Sequence, residues 1–537
     1  MVLRVTVSSM QKKHQVIIIG GGPVGVGLAC ELGLRGVDCA LIERRVGLSN
    51  IPKGQNLAPR TLEHIWSWGC VDELRAERIM PRPYPISGIT AYGSLMSEYW
   101  FAPPQREIVR GFYYQDVERL PQYLTEKVLR NRMSALPNVA AHFGWVAQSI
   151  AQDDNGVRVT MAEHGGSGRE TLEADYLVGC DGAHSQVRDQ IGIARGGADF
   201  DQMMVLAVFR SKELHEGLKR FPGRSTYNVL HPDLKGYWQF FGRIDVGEGW
   251  FFHAPVPEGT TTDNYDFKGL IQRVAGFPFA AEFDHVGFWD LRVAVADKYQ
   301  VGRVFIAGDA AHSHPPYGGF GLNNGLEDVR NLGWKLAAQL EGWGSDALLQ
   351  SYSDERHPIF KETGEDFIAG RINWDRHFLD RYNPARNRAE FEHAWKEREA
   401  GIGDRLMTYE PNYEGSAVIA GPPGGKTTAH GEHSFKARAG HHLAPQKLSS
   451  GRNVFEELGS GYALLAFGAE PNAGDILARE ARALNLPFKV IHDTYDGGRE
   501  AYEARLTLVR PDHYVAWKGN TLPHDPRQLL VKVAGRG

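Results

Sequence analysis

The sequence predicts an α/β protein of more than one domain, in which a parallel-sheet nucleotide-binding fold is interrupted by an antiparallel sheet and followed by a small α/β unit. Three observations carry this expectation. The chain has 537 residues, several times what one hydrophobic core organises. A β-branched run, clustered glycines and a helical stretch follow one another near its start. Aromatic-rich alternating segments fill its middle.

From His14 the order is strand, turn, helix, strand. Gln15-Val-Ile-Ile-Ile19 reads as a buried strand, Gly20-Gly-Gly-Pro-Val-Gly25 as a tight turn, Val26 to Gly36 as a helix and Asp38 to Glu43 as a second strand. Together they make a βαβ unit of about thirty residues, the size of a mononucleotide-binding half. Between residues 196 and 295, Tyr237-Trp-Gln-Phe-Phe241 and Trp250-Phe-Phe-His253 are joined by Asp245-Val-Gly-Glu-Gly249, which predicts an antiparallel sheet with one aromatic face. Leu322 to Leu340 reads as an amphipathic helix, residues 345 to 410 as further helices, and Glu414 to Gly431, rich in Gly, Pro, Ser and Thr, as a linker. Beyond it, Tyr462-Ala-Leu-Leu-Ala466 and Phe488-Lys-Val-Ile491 flank a helical stretch from Ala473 to Leu484.

Sixty Lys and Arg against 65 Asp and Glu give a net charge of -5, without the basic excess that nucleic-acid binding needs. No apolar run approaches the roughly 20 residues that span a bilayer, and the first dozen residues lack a secretory apolar core, so a cytoplasmic protein without a membrane partner is expected. The four cysteines, Cys30, Cys39, Cys70 and Cys180, show neither metal nor redox spacing, which predicts free thiols and no metal.

The chemistry begins at Gly20-x-Gly22-x-x-Gly25, with Pro23 and Val24 inside it. After a strand and before a helix, the first glycine permits the turn, the second lets a pyrophosphate approach, and the third lets helix and strand pack. Glu43, 18 residues after Gly25, ends the second strand where a carboxylate accepts from the hydroxyls of an adenosine ribose and repels a 2′-phosphate. The expected dinucleotide is FAD or NAD, not NADP. A second constellation runs from Gly302 to Asp328: a strand delivers Asp309, and a turn containing Pro316, Gly319 and Gly321 leads into the helix of Leu322 and Asn323, whose N-terminus stabilises an anion such as reduced flavin.

The pattern from Gly308 to Lys335, together with Asp181-Gly-Ala-His-Ser185-Gln-Val-Arg188, Pro52 to Glu63 and Gln122-x-x-x-Glu126, resembles the single-component FAD-dependent aromatic hydroxylases, and Arg438-Ala-Gly-His-His-Leu-Ala-Pro445 with Arg510-Pro-Asp-His-Tyr-Val-Ala-Trp517 resembles the C-terminal domain of their phenol hydroxylase and hydroxyphenylpropionate hydroxylase branch. The resemblance implies a Rossmann-like FAD-binding domain over residues 14–195 and 296–375, a substrate sheet over 196–295, a helical segment and linker over 376–430, and a thioredoxin-like domain over 431–537 that contains no cysteine. It also implies that Glu43 holds the ribose, that Arg44 and Gln122 lie along the cofactor, and that Asp181 stands beside both FAD and the nicotinamide nucleotide. Asp309 would then hold the ribityl or pyrophosphate portion, Leu322 and Asn323 meet the isoalloxazine, and Pro316 lies over it. NADPH or NADH and O2 are the implied co-substrates, a C4a-hydroperoxyflavin the oxygen donor, a phenolic or catecholic ring the substrate, and a homodimer the assembly. A heteroaromatic hydroxylase, an epoxidase and a reductase are the alternatives on the same fold.

Two departures bear on the acceptor of the substrate's phenolic proton. Gln55 stands where phenol hydroxylase-like proteins carry an acidic residue, and Phe320 replaces the commoner Gln of the Gly-Gly-Gln-Gly turn, which places an apolar ring near the flavin. His253, Gln239, Tyr227 and Gln55 are the candidates for anchoring or deprotonating a substrate hydroxyl. His312 is expected to stabilise the turn. Ala420-Gly-Pro-Pro-Gly-Gly-Lys-Thr427 imitates a phosphate-binding loop but lacks a following apolar helix.

Overall fold

The computed structural model describes residues 12–81, 84, 86–103, 106–234 and 237–537. Its first sheet is parallel at the centre. Lys13–Ile19 lies between Cys39–Glu43 and Arg169–Gly179, flanked in turn by Val139–Phe143 and Val304–Ile306. Val16, Ile17 and Ile18 have no solvent exposure and share one core with Leu28 and Leu32 of the helix Pro23–Leu34 and with Leu326, Val329 and Leu336 of the helix Phe320–Leu340. Such burial explains a strand without polar alternation. The late return of Val304–Ile306 to this sheet makes the domain discontinuous in sequence.

The second sheet has eight strands in the order His312–Ser313, Glu282–Ala296, Arg195–Arg210, Gly249–Pro255, Trp238–Arg243, Thr226–Leu230, Gly88–Tyr92 and Trp100–Phe101. The hairpin expected around residue 245 is present, with Phe240 opposite His253 and Phe241 opposite Phe252. The sheet also draws on chain outside residues 196–295, because Gly88–Tyr92 runs parallel to Thr226–Leu230 and covers what would otherwise be an open edge. Aromatic side chains occupy both faces, not one. Phe209, Tyr227, Phe241, Trp250 and Phe252 pack with Leu270 and Ile271 of the helix Phe267–Ala275, while Trp238, Phe240 and Phe251 form a separate cluster with Leu206 and Val208 on the opposite face.

The helices Asp346–Glu362, Gly370–Arg381 and Arg388–Met407 follow, the first two joined by a π-helical stretch at Thr363–Ala369. The phosphate-loop imitation runs into the strand Thr427–His430, paired with Tyr409–Tyr413. The C-terminal domain is thioredoxin-like: Tyr462–Phe467 pairs parallel with Phe488–Asp493 and antiparallel with Leu506–Val509, which pairs with Val515–Gly519, and helices Ala473–Ala483 and Pro526–Val533 complete it. Its core continues into the flavin-side helices through Trp334, Ala338 and Leu348. A fully buried ion cluster crosses the same boundary: Arg510 donates to Glu355 at 2.7 and 3.0 Å and to Asp512, Lys335 donates to Glu355 at 2.7 Å, and Trp334 Nε1 donates to Asp512. Charges this deep tolerate no unmatched partner, so the docking geometry is tightly specified. No helix among the described residues is long and apolar enough to cross a membrane.

Candidate active site

The glycine turn is sterically as its spacing implies. Gly20 has φ +108°, and a Cβ there would lie 2.3 Å from the Cys180 carbonyl oxygen of the neighbouring strand. A Cβ on Gly25 would lie 1.9 Å from the Gly20 carbonyl oxygen, whereas one on Gly22 would meet nothing within 4 Å. Two glycines are required by the protein, and the third leaves space for something else. Pro23 occupies the first turn of the helix, where its missing N–H costs no hydrogen bond, and Val24 packs at the edge of the central core.

A cavity of about 140 Å³ opens beside this turn, lined by Gly22, Pro23, Glu43, Lys53, Gln122 and Arg130 among others. Glu43 ends its strand here, its carboxylate accepting from the backbone N–H of Gly21 at 2.7 Å and of Arg45 at 2.8 Å. Gln122, Glu126 and Arg130 reach the cavity together because spacings of four place them on one face of the helix Gln122–Ser134. Arg130 donates to Glu126 and to the Gly21 carbonyl. Arg44 is exposed and outside the lining; Arg45 lines the cavity instead. Lys53, Tyr123 and Arg130 were not singled out from sequence. For Arg130 the signal was available, eight residues beyond Gln122 on the same helical face.

Two loops are clasped by Asn323, one of the residues expected at the flavin ring. Its Oδ1 accepts from Ala58 N and Thr61 Oγ1, and its Nδ2 donates to the carbonyls of Asn56 and Gly319. With its amide saturated by protein, Asn323 shapes the ring site through its neighbours. Gly54 stands against Gln122 Oε1 and Leu322, which brings these two expected cofactor contacts into one corner. Gln55 is buried, and neither its Oε1 nor its Nε2 has a hydrogen-bond partner among the described residues. A buried primary amide with both ends unmet is costly alone, so it fits a polar ligand.

Asp309 follows Val304–Ile306 in the turn Gly308–Ala310, its side chain exposed. Behind it, fully buried Asp328 accepts from Gly308 N, His312 Nε2 and Arg356 Nε, and His312 stacks on Phe360 at 3.8 Å. His312 thus stabilises the turn. Asp181 accepts from Ser185 Oγ and Val187 N, which commits its carboxylate to the start of the helix Gln186–Gln190. Gly321 packs beside His314, and the Phe320 ring packs against Tyr409 and Phe367. Gly318 and Gly319 both adopt left-handed backbone immediately before the helix Phe320–Leu340 begins.

The four substrate-anchor candidates do not share a site. Register places Tyr227 opposite Phe241 and Gln239 opposite Val229, on the face packed against Phe267–Ala275. Tyr227 also accepts from Arg243 Nε and donates to the Arg224 carbonyl, so it belongs to the core behind the sheet. His253 faces the other way. It stacks on Phe240 at 5.0 Å and accepts from the Trp289 indole at Nδ1, 3.3 Å away, which leaves Nε2 carrying the ring proton. Burial pushes its pKa down to about 3, so the imidazole is neutral and a very weak base. The Leu206, Val208, Trp238, Phe240 and Phe251 face packs against Ile51 of the cofactor cavity and Tyr317 of the Pro316 loop. His253 and Gln55 remain as pocket candidates.

A glycine cradle, an acidic strand end and an unmet amide beside an aromatic wall define an enzyme that binds a flavin dinucleotide. Residues 13–365 match the FAD binding domain family, and the chain belongs to it. Among its relatives are the rifampicin monooxygenase of Streptomyces venezuelae, 33% identical over 65% of this chain and 69% of that protein, and the 4-methyl-5-nitrocatechol 5-monooxygenase of a Burkholderia species, 28% identical over 96% of both. The rebeccamycin biosynthetic enzyme RebC with reduced flavin superposes with a TM-score of 0.85 at 26% identity, covering 98% of this chain and 99% of that one. The protein is an FAD-dependent monooxygenase.

Proposed function

We propose that the enzyme hydroxylates a substituted phenolic or catecholic ring, taking electrons from NADH or NADPH and oxygen from O2. The observation that carries this reading is the contact between the Trp238, Phe240 and Phe251 face of the sheet and the loops that hold the cofactor, through Ile51 and Tyr317. Bound FAD, once reduced, supplies oxygen activation. The chain's own residues supply position and dryness: the aromatic face excludes water, His253 Nε2–H donates to a substrate oxygen, and Gln55 offers both a donor and an acceptor at the flavin edge. A neutral histidine with a pKa of about 3 orients a phenol but does not deprotonate it.

The test is anaerobic reduction of the FAD-loaded protein by NADH and by NADPH, with and without phenols, catechols, aromatic acids and hydroxypyridines, followed by product analysis under isotopically labelled oxygen. Acceleration by a phenol or catechol, with one labelled oxygen atom in its product, is the expected result. Fast reduction that no compound accelerates, with no labelled product, would replace this reading with a reductase.

A further inference from the structure

Tyr317 follows Pro316 in the loop that enters the helix Phe320–Leu340, and its hydroxyl donates to Asp375 Oδ2 at 2.6 Å. Asp375 is buried in the helix Gly370–Arg381, between Arg398 of the helix Arg388–Met407 and Arg371, whose Nε lies 3.4 Å away. Burial alone would push this carboxyl up, but the two guanidiniums and the Tyr317 hydroxyl outweigh it and keep Asp375 ionised. Arg398 is itself locked, its guanidinium 3.9 Å from the centre of the Trp374 ring. The phenol of Tyr317 therefore meets a fixed acceptor.

The ring of Tyr317 lies 5.1 Å from that of Trp238, on the aromatic face of the sheet. Tyr317 also shares a cluster with Ile368 and Ile372, so it stands where the cofactor loop, the sheet and the covering helices meet. Local bonds shape this loop: Tyr317 N donates to the Pro315 carbonyl, His314 Nδ1 to the same oxygen, and Asn323 Nδ2 to that of Gly319. Gly318 and Gly319, at φ +67° and +69°, give the segment a conformation that side-chain-bearing residues resist. The Tyr317 hydroxyl ties this permissive loop to the helices across the pocket.

We propose that Tyr317 and Asp375 form a positioning pair that holds the Pro316 segment against the flavin's reactive face and keeps that face closed to small polar solutes. The inference rests on the reading that the isoalloxazine lies beneath Pro316. Neither residue is assigned a proton-transfer step.

The experiment uses sulfite, which adds to N5 of oxidised flavin and bleaches its visible band without any aromatic substrate. In the FAD-loaded full-length protein, Tyr317→Phe and Asp375→Asn are each expected to accelerate bleaching about fivefold or more, the scale of one lost hydrogen bond. The double variant should be no faster than the faster single, and Tyr99→Phe, which removes a hydroxyl bonded to Glu392 on the same covering helices, should match wild type. The FAD-to-protein ratio of Tyr317→Phe should equal that of the Tyr99→Phe control. Bleaching by Tyr317→Phe at the wild-type rate, or accelerations that multiply in the double variant, would overturn the proposal. If Asp375→Asn fails to fold because Arg371 and Arg398 lose their counter-charge, Tyr317→Phe decides alone, since it leaves that ion cluster intact. Absence of any hydroxylated aromatic product would sink the proposed function while leaving this readout untouched, so the two fail separately.

Discussion

His312 Nε2 and Asp328 Oδ2 stand 2.6 Å apart, both without solvent exposure, and fix the turn that delivers Asp309. Asp328 also receives Gly308 N at 3.0 Å and Arg356 Nε at 2.8 Å. Replacing it by Ala leaves Arg356 buried without its carboxylate partner. The expected loss is about 3–5 kcal/mol, the range for breaking a buried charge pair. Chemical denaturation of the FAD-loaded protein checks it, and a loss under about 1 kcal/mol would show that the site relaxes around the gap.

The glycine turn separates folding from binding. Gly25→Ala drives a methyl into the Gly20 carbonyl and should yield little folded protein, whereas Gly22→Ala meets no protein atom. Gly22→Ala should keep the melting temperature of the cofactor-free protein and weaken FAD binding by about tenfold or more. Fluorescence titration with FAD reads the second effect. Equal FAD affinity in Gly22→Ala and wild type would mean that the cofactor does not approach this position.

Three buried histidines predict acid lability. Burial is the largest cause in each, lowering His253 to about 3, and His64 and His314 to about 4, from an ordinary 6.5. Below pH 6.5 the unfolded chain binds protons that the folded chain refuses. Their contribution to stability is therefore complete above pH 6.5 and declines as pH falls toward 4, by up to about 1.4 kcal/mol per pH unit for each site. His253→Phe should flatten that decline. An unchanged slope would show that His253 takes up its proton in the folded state.

The four thiols should be inert. All are buried, and burial raises Cys39 and Cys70 to about 12 and Cys30 and Cys180 further still. Iodoacetamide is expected to label none in the native protein and all four after denaturation, counted by intact mass. Native labelling of even one would reveal an opening that the packed core does not display.

Much of the cofactor half was legible because its signals are local. A βαβ unit and three glycines lie within about thirty residues, and their spacing carries their geometry. Gln122, Glu126 and Arg130 were legible in principle through helical period alone. The substrate half was not, because sheet register decides which side chains share a face. His253 and Gln239 both looked like pocket residues, yet pairing places His253 beside Phe240 and Gln239 beside Val229, on opposite faces. Tyr317 and Asp375 are 58 residues apart, and no local pattern joins them.

The buried cluster of Arg510, Glu355, Lys335 and Asp512 makes the thioredoxin-like domain a poor candidate for a detachable module. The match to the FAD binding domain ends at residue 365, but Glu355 within it draws two of its hydrogen bonds from Arg510 beyond it. A cut at that border would strand ionised groups in an apolar socket. Evolutionary exchange of this tail for another is thus constrained by electrostatics as well as by shape: a replacement must bring a cation to the Glu355 position, or the host must surrender the carboxylate at the same step.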